Sequence, residues 1–194
     1  MRRPLPGIAA IAGALLLLVA AAAGAVADPV SKVRGDPAAH AAEGDRVFRF
    51  LALAKTEAEG RAMEDQAWLW FMAAPDAASA ALMNRALERR RAFDLDAALA
   101  VLDELVAAAP DWAEAWNQRA TVRFEKGDFE GSLADIEVTL RLEPRHFGAL
   151  AGRAIIETGF GRVALAQSDL RRAVAIHPFL KERGLLIATP GKDI

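Results

Sequence analysis

The sequence predicts an all-α fold, an α-solenoid built from antiparallel helix pairs, and three observations carry that prediction. Prolines stand at Pro110, Pro144 and Pro178, 34 residues apart each time. Between them, apolar residues recur at steps of three and four, the spacing of one face of an α-helix. Alanine supplies much of the hydrophobic 54% and tyrosine is absent, so helix formers predominate. A fixed period of this length is typical of stacked helical units.

Aligning the chain on these prolines reveals columns of like residues in three units. Small residues are needed where two helices cross closely, and a proline ends the second helix because it cannot continue one. Two columns of the alignment are small and a third is branched and apolar. They contain Ala86, Ala120 and Ala154; Ala98, Ser132 and Ala166; and Leu102, Ile136 and Leu170.

Each unit has a short polar break between its two helices. In the middle unit the break contains Gly127 and Asp128, where glycine adopts a left-handed conformation and aspartate caps the next helix. The first unit has Phe93 where the middle one has Gly127. If the turn is left-handed there too, phenylalanine incurs a steric cost that glycine avoids.

An arginine recurs in every unit, at Arg85, Arg119 and Arg153. Because the second helix of each unit runs back antiparallel, the turn places Asp135 opposite Arg119 and Asp169 opposite Arg153. The sequence therefore predicts two ion pairs that join the helices of a unit, the alternative being independent solvated charges. The first unit has Val101 at the matching place, so Arg85 needs another acceptor or solvent.

The middle unit, residues 113–146, resembles a tetratricopeptide repeat (TPR). Trp116 and Pro144 match the family pattern, whereas Arg119, Ala120, Arg123, Ser132 and Ile136 replace its leucine, glycine, tyrosine, alanine and phenylalanine. The same register fits 79–112 as a first repeat and 147–180 as a third. The resemblance implies a TPR superhelix and a role as a binding scaffold rather than an enzyme.

Residues 44–74 are interpreted as a degenerate helical pair that caps the first repeat. Thr56 and Glu59 form a capping box at the start of its second helix. Trp68, Trp70 and Phe71 are expected to pack onto the first repeat, although an aromatic ligand platform is the alternative. At the other end, residues 181–194 form a short cap and tail. They leave an apolar edge that is either a dimer surface or a poorly covered end.

The first 27 residues have the features of a secretory signal peptide. A positive start is followed by an uncharged apolar run, and small residues precede an expected cleavage after Ala27. Residues 28–43 are expected to be a flexible leader. The sequence thus predicts a periplasmic or secreted protein that is not in a membrane after cleavage. The alternative is membrane anchoring by an uncleaved signal.

No residue pattern indicates catalysis, a cofactor or a metal. Cysteine is absent, and His40, His146 and His177 are not spaced to share a helix face. His146 and His177 are expected near helix C-termini, where positive charge suits the dipole. Glycine-rich phosphate motifs and serine-nucleophile motifs are missing. The acidic excess of the mature chain disfavours nucleic acid as a partner.

The TPR resemblance implies a concave groove that is lined by the first helix of each repeat and holds a protein or peptide partner. Some TPR proteins bind a C-terminal carboxylate with a clamp rich in lysine and asparagine. Among the groove candidates named at the end of this paragraph, only Asn117 resembles a residue of that clamp. A segment with an acidic end near Arg90 and Arg91 and an apolar end near Ile155 would be complementary, unless these arginines only solvate their helix. The alternative function is a structural or self-associating module, which would form a homo-oligomer. The groove candidates are Met83, Leu87, Arg90, Arg91, Glu114, Asn117, Thr121, Phe124, Glu125, Ala151, Ile155 and Thr158.

Overall fold

A computed structural model describes residues 33–187, in which eight α-helices are followed by one short 3-10 helix. The expected signal peptide, residues 28–32 of the leader and the end of the tail lie outside the described residues. Within 33–187, every helix is too short or too polar to span a bilayer. The helices are α1 Pro37–Ala52, α2 Glu57–Phe71, α3 Ala77–Arg91, α4 Leu95–Ala108, α5 Ala113–Glu125, α6 Phe129–Leu142, α7 Phe147–Gly159, α8 Val163–Ile176 and the 3-10 helix Lys181–Leu185.

Helices α3 to α8 form three successive antiparallel pairs with turns of matching geometry. The turn residues Phe93, Gly127 and Gly161 occupy the same place in each pair, and all have positive φ, at 56°, 80° and 74°. Asp94 and Asp128 follow the first two and accept backbone hydrogen bonds at the starts of α4 and α6. The predicted left-handed turn is confirmed, with phenylalanine in the position that favours glycine.

The small and branched columns form the interior of the pairs. All nine residues of the three columns are buried. Ser132, the one polar member, donates its hydroxyl to the backbone carbonyl of Ala120 on the facing helix at 2.8 Å. A small side chain at these places lets the two helices of a repeat approach closely, as the alignment predicted.

Both predicted arginine pairs are present. Arg119 donates two hydrogen bonds to Asp135, at 2.9 and 2.7 Å, and Arg153 donates two to Asp169, at 2.6 and 2.7 Å. The hydrogen bonds that Arg153 donates to Asp169, and the charge of that carboxylate, raise the pKa of Arg153 despite partial burial. Arg85, which has no aspartate opposite it, bonds Glu104 at the surface instead.

The N-terminal part of the chain differs from the sequence-based expectation in its extent. Helix α1 begins at Pro37, where Asp36 caps it by accepting the amide of Ala39, so residues 37–43 are helical and not a flexible leader. Before it, Val33 and Arg34 run beside Ala73 and Ala74 in a short parallel bridge. A proline at the first helical position fits the fixed φ of that residue.

Helices α1 and α2, called here the N-terminal hairpin, also lie in a different place from the one expected. The hairpin does not stack on repeat 1 as a further helix pair, because α2 and α3 do not pack side by side. Its contact with repeat 1 lies at its end, where Met72 joins the repeat 1 core and Trp112 donates to the carbonyl of Phe71. Its aromatic residues Trp68 and Phe71 contact His146 and Phe147, at the junction of repeats 2 and 3. The expected position was wrong because α2 packs on a surface that later parts of the chain form. The periodicity of a sequence indicates which repeats are neighbours in the array, but not where a helix pair outside the array packs.

Candidate peptide-binding groove

The first helices of the repeats, α3, α5 and α7, carry the groove candidates along one side. An ion pair between Arg90 of α3 and Glu125 of α5 connects the ends of two of these helices, with an oxygen–nitrogen distance of 2.5 Å. The candidates separate into two groups along the helices. Those at the helix starts, called the proximal half, are covered by other parts of the chain. Those at the helix ends, called the distal half, are partly accessible.

Three proximal candidates, Glu114, Asn117 and Ala151, are buried. Glu114 has only 1% of its surface exposed, yet its carboxylate is fully engaged. One oxygen accepts from the side-chain amides of Gln118 at 2.6 Å and Asn117 at 3.2 Å, and the other lies 2.8 Å from Nε2 of His146. A buried carboxylate needs such donors to offset its lost hydration. Asn117 is therefore not available as a clamp residue.

His146 organises this buried network from the start of α7. Its Nδ1 accepts the backbone amide of Ala149, so the ring caps a helix N-terminus and does not complement a C-terminus as the sequence suggested. Because Nδ1 is an acceptor, the proton of the neutral ring lies on Nε2 and is donated to Glu114. His177 does end helix α8, in agreement with its predicted place.

The N-terminal hairpin covers this half of the groove. The ring of Phe71 stacks on His146 with a centroid separation of 4.1 Å, and Trp68 meets Phe147 edge-on at 5.3 Å. Trp112, before α5, donates its indole N–H to the carbonyl of Phe71 at 2.9 Å. A methyl group added at Gly148 would lie 2.7 Å from the ring of Trp68, so glycine is required there for close approach.

Two polar contacts hold the rim of the hairpin. Glu64 of α2 lies 3.2 Å from Nε2 of His177, and Asp45 of α1 accepts from Arg145 at 2.7 Å. The hydrogen bond with His177 holds the pKa of Glu64 below its ordinary value, although partial burial opposes the shift. Arg145 also forks onto Glu143, and those bonds raise the pKa of Arg145.

The distal half is less covered. Thr158 and Arg91 are exposed, whereas Leu87, Thr121, Phe124 and Ile155 are partly exposed. Phe124 belongs to a row of aromatic rings, with centroid separations of 5.5 Å to Phe129 and 6.2 Å from Phe129 to Phe160. This end of the groove therefore presents partly exposed apolar side chains beside the exposed Arg91.

One basic and one apolar groove candidate are not placed as the sequence suggested. Arg90 is largely buried and paired with Glu125, so it does not offer an uncompensated charge to an acidic segment. Met83 is fully buried inside repeat 1 and contributes to its core. An alternation of apolar residues on α3 could not distinguish the core side from the groove side at Met83.

Sequence reasoning missed Trp112, His146 and Phe147 as members of this site. The signal was present in the alignment, because the last residue of each 34-residue unit is Trp112, His146 or Leu180, and all three are buried. A column of large side chains at the junctions between repeats indicates a surface that something must cover.

Comparisons with known proteins agree on the kind of fold. Two solved structures superpose on the chain: the first TPR of Spaghetti (RPAP3) bound to the HSP90 peptide SRMEEVD, with a TM-score of 0.53, and MamA, with a TM-score of 0.50. The fold is that of a TPR solenoid. Sequence identity is 17% and 16%; the matches cover 55% and 72% of this chain, and 85% and 82% of those structures.

Sequence relatives support the TPR family as well. A TPR repeat-containing protein of Rhizobium etli is 44% identical over 95 residues, which are 49% of this chain and 45% of that protein. Mouse tetratricopeptide repeat protein 36 is 29% identical over 117 residues, 58% of this chain and 62% of that protein. The matches thus span about half to three fifths of the relatives' length. No protein-family model matches the chain.

Proposed function

We propose that this protein is an exported, non-enzymatic TPR scaffold that binds a segment of another protein in the distal half of its groove. The observation that carries the proposal is the accessible surface formed by the partly exposed Phe124 and Ile155 beside the exposed Thr158. Apolar surface with a few polar groups is typical of a peptide site. A TPR neighbour in the structural comparison is bound to a peptide, which supports the same mode here.

The segment that this surface favours is apolar rather than acidic. Asn117 is hydrogen-bonded to Glu114, and Arg90 forms an ion pair with Glu125. The side chains that could bind a carboxylate of a partner are therefore already paired within the chain. Arg91 offers an exposed charge at this end. An apolar side chain against Phe124 and Ile155, with one acidic residue towards Arg91, is the complementary pattern.

Site-specific photo-crosslinking in the native host tests this proposal. A photoreactive residue placed at position 124 or 158 is expected to give a covalent adduct with a partner. The same residue at Arg171, an exposed position of helix α8, is the matched control and should give none. Adducts that arise equally from position 171, or none from either groove position, would contradict groove binding.

Export is tested on the same protein. The proposed cleavage after Ala27 predicts that material recovered from the periplasmic or secreted fraction begins at Asp28. N-terminal sequencing measures this directly. A chain that retains its first residues and sediments with membranes would instead support the anchored alternative.

A structural or self-associating module remains the second candidate because the C-terminal edge is apolar. Val163, Leu165, Leu185 and Ile187 are all exposed, at 44 to 62% of their surface. The aromatic face Trp68-Trp70-Phe71 is not available for this role, since it packs inside the molecule. Sedimentation of the wild type and of Leu165→Glu decides: a dimer that the substitution converts to monomer favours this candidate.

A further inference from the structure

The proximal half of the groove already holds a helix, and that helix belongs to the same chain. Helix α2 presents Glu64, Trp68 and Phe71, at spacings of four and three, along one face. Each of the three has a specific acceptor site on the repeats: His177, Phe147 and His146 respectively. A groove recognises an amphipathic helix in this way, through anchor residues at positions i, i+4 and i+7.

The repeats are shaped for this occupant. Position 148 is glycine where the ring of Trp68 sits, and position 60 of α2 is glycine where Phe179 sits. The floor beneath Phe71 is the His146 ring, fixed from below by Glu114 and at its other nitrogen by Ala149. Burying polar groups costs free energy, so a buried network that orients one ring is expected where that ring makes a defined contact, here with Phe71.

The hairpin is tethered without being part of the stack. Residues 72–76 connect it to α3, but α2 and α3 are not packed side by side. Its links to the repeats join residues that are far apart in sequence, with a separation of 100 residues for Asp45 and Arg145. The arginine bonds within repeats 2 and 3 involve no residue of the hairpin.

We propose that helix α2 is an exchangeable intramolecular ligand, and that a helix of a partner protein takes its place over His146 and Phe147. The partner helix carries a carboxylate, an aromatic residue four positions later and a second aromatic residue three positions after that. This rests on the proposed scaffold function and names the class of partner and the means of regulation. Because α2 is tethered to the repeats, its local concentration at the groove is high. A partner helix displaces it only if it binds more tightly than an isolated copy of α2, or if the contacts of the hairpin are weakened.

A disulfide lock makes the exchange measurable. A Cβ added at Gly60 would lie 2.9 Å from the Cβ of Phe179, so Gly60→Cys with Phe179→Cys needs only a small shift to reach disulfide spacing. The natural chain contains no cysteine, so no other intramolecular disulfide competes. The same molecule is locked when oxidised and free when reduced, which provides its own control.

The probe is a fluorescent peptide with the sequence of residues 57–71, and the readout is fluorescence polarisation on purified protein. An opened variant carries Trp68→Ala and Phe71→Ala in the hairpin and leaves the repeat surface unchanged. We expect the peptide to bind the opened variant at least about tenfold more tightly than the wild type. The oxidised lock should not bind it, and a control peptide lacking both aromatic residues should bind none of the proteins.

Equal binding to the locked and opened proteins, or no binding to an opened variant that retains its helical circular dichroism, would overturn the proposal. If the opened variant does not fold, hydrogen exchange on the wild type decides instead. Hairpin amides should exchange at least about tenfold faster than those of α5 to α8, and equal protection would refute an exchangeable α2. These assays do not involve the distal residues 124 and 158, so their failure is distinct from failure of the scaffold proposal.

Discussion

The three repeats and the N-terminal hairpin are made of similar helix pairs, but they are held by contacts of different range. In the repeats, Arg119 reaches Asp135 across a separation of 16 residues, and Arg153 reaches Asp169 across the same distance along the chain. In the hairpin, Glu64 reaches His177 across 113 residues. A repeat array is therefore determined by local contacts, whereas the position of the hairpin depends on the finished array.

The largest expected effect comes from removing the hairpin's central anchor. Phe71→Ala should lower the free energy of unfolding by about 3–5 kcal/mol, because it leaves a cavity over His146. Urea unfolding followed by circular dichroism and by tryptophan fluorescence measures it. Phe50→Ala, on the exposed side of α1, is the control and should change stability by less than about 1 kcal/mol. A loss of similar size in both variants would mean that the hairpin is not anchored through Phe71.

The second comparison lies inside the repeats, at one arginine with two carboxylates. Asp135 has 3% of its side chain exposed and is bonded by Arg119 and Arg123, whereas Asp103, also bonded to Arg119, is 55% exposed. Asp135→Asn should cost about 3 kcal/mol because it removes the buried carboxylate charge that both guanidinium groups share. Asp103→Asn should cost less than about 1 kcal/mol. Equal losses would show that burial does not govern the strength of these pairs.

A third test compares the turns of the first and second repeats. Phe93 has φ of 56° and is 83% exposed, so its ring gains little packing to offset the backbone cost. Phe93→Gly should raise stability by up to about 1 kcal/mol, making the first turn like the one at Gly127. Phe93→Ala retains a Cβ and should give no such gain. A melting temperature that does not rise in the glycine variant would contradict this account.

The smallest effect concerns the rim of the hairpin and depends on pH. The pKa of Glu64 is lowered in the folded state, so its pair with His177 stabilises the protein above the ordinary pKa of 4.5. That stabilisation is lost as the pH falls through the lowered folded value. Glu64→Gln should therefore be less stable than the wild type near neutral pH, by less than about 1 kcal/mol. The difference should shrink in acid. A constant difference at all pH values would exclude the pair as its cause.

The sequence was sufficient for the parts of the molecule that depend on near neighbours. The small columns, the left-handed turns and both arginine pairs follow from a 34-residue register and antiparallel geometry, and all of them are present. Met83 and the position of the hairpin do not follow. One apolar residue on a helix does not reveal which of two sides is buried, and the contact of Trp68 with Gly148 appears only when repeats 2 and 3 are stacked.

The double attachment of Arg119 has a mechanical consequence. Its planar guanidinium bonds Asp103 of repeat 1 and Asp135 of repeat 2, and so fixes the spacing between successive repeats. At the next junction, among residues 33–187, Arg153 donates to Asp169 of its own repeat, with Glu137 attracting it from a distance. The hairpin spans that junction instead. If helix α2 exchanges as proposed, its release removes one attachment across the junction of repeats 2 and 3, and the solenoid is then expected to bend more freely there.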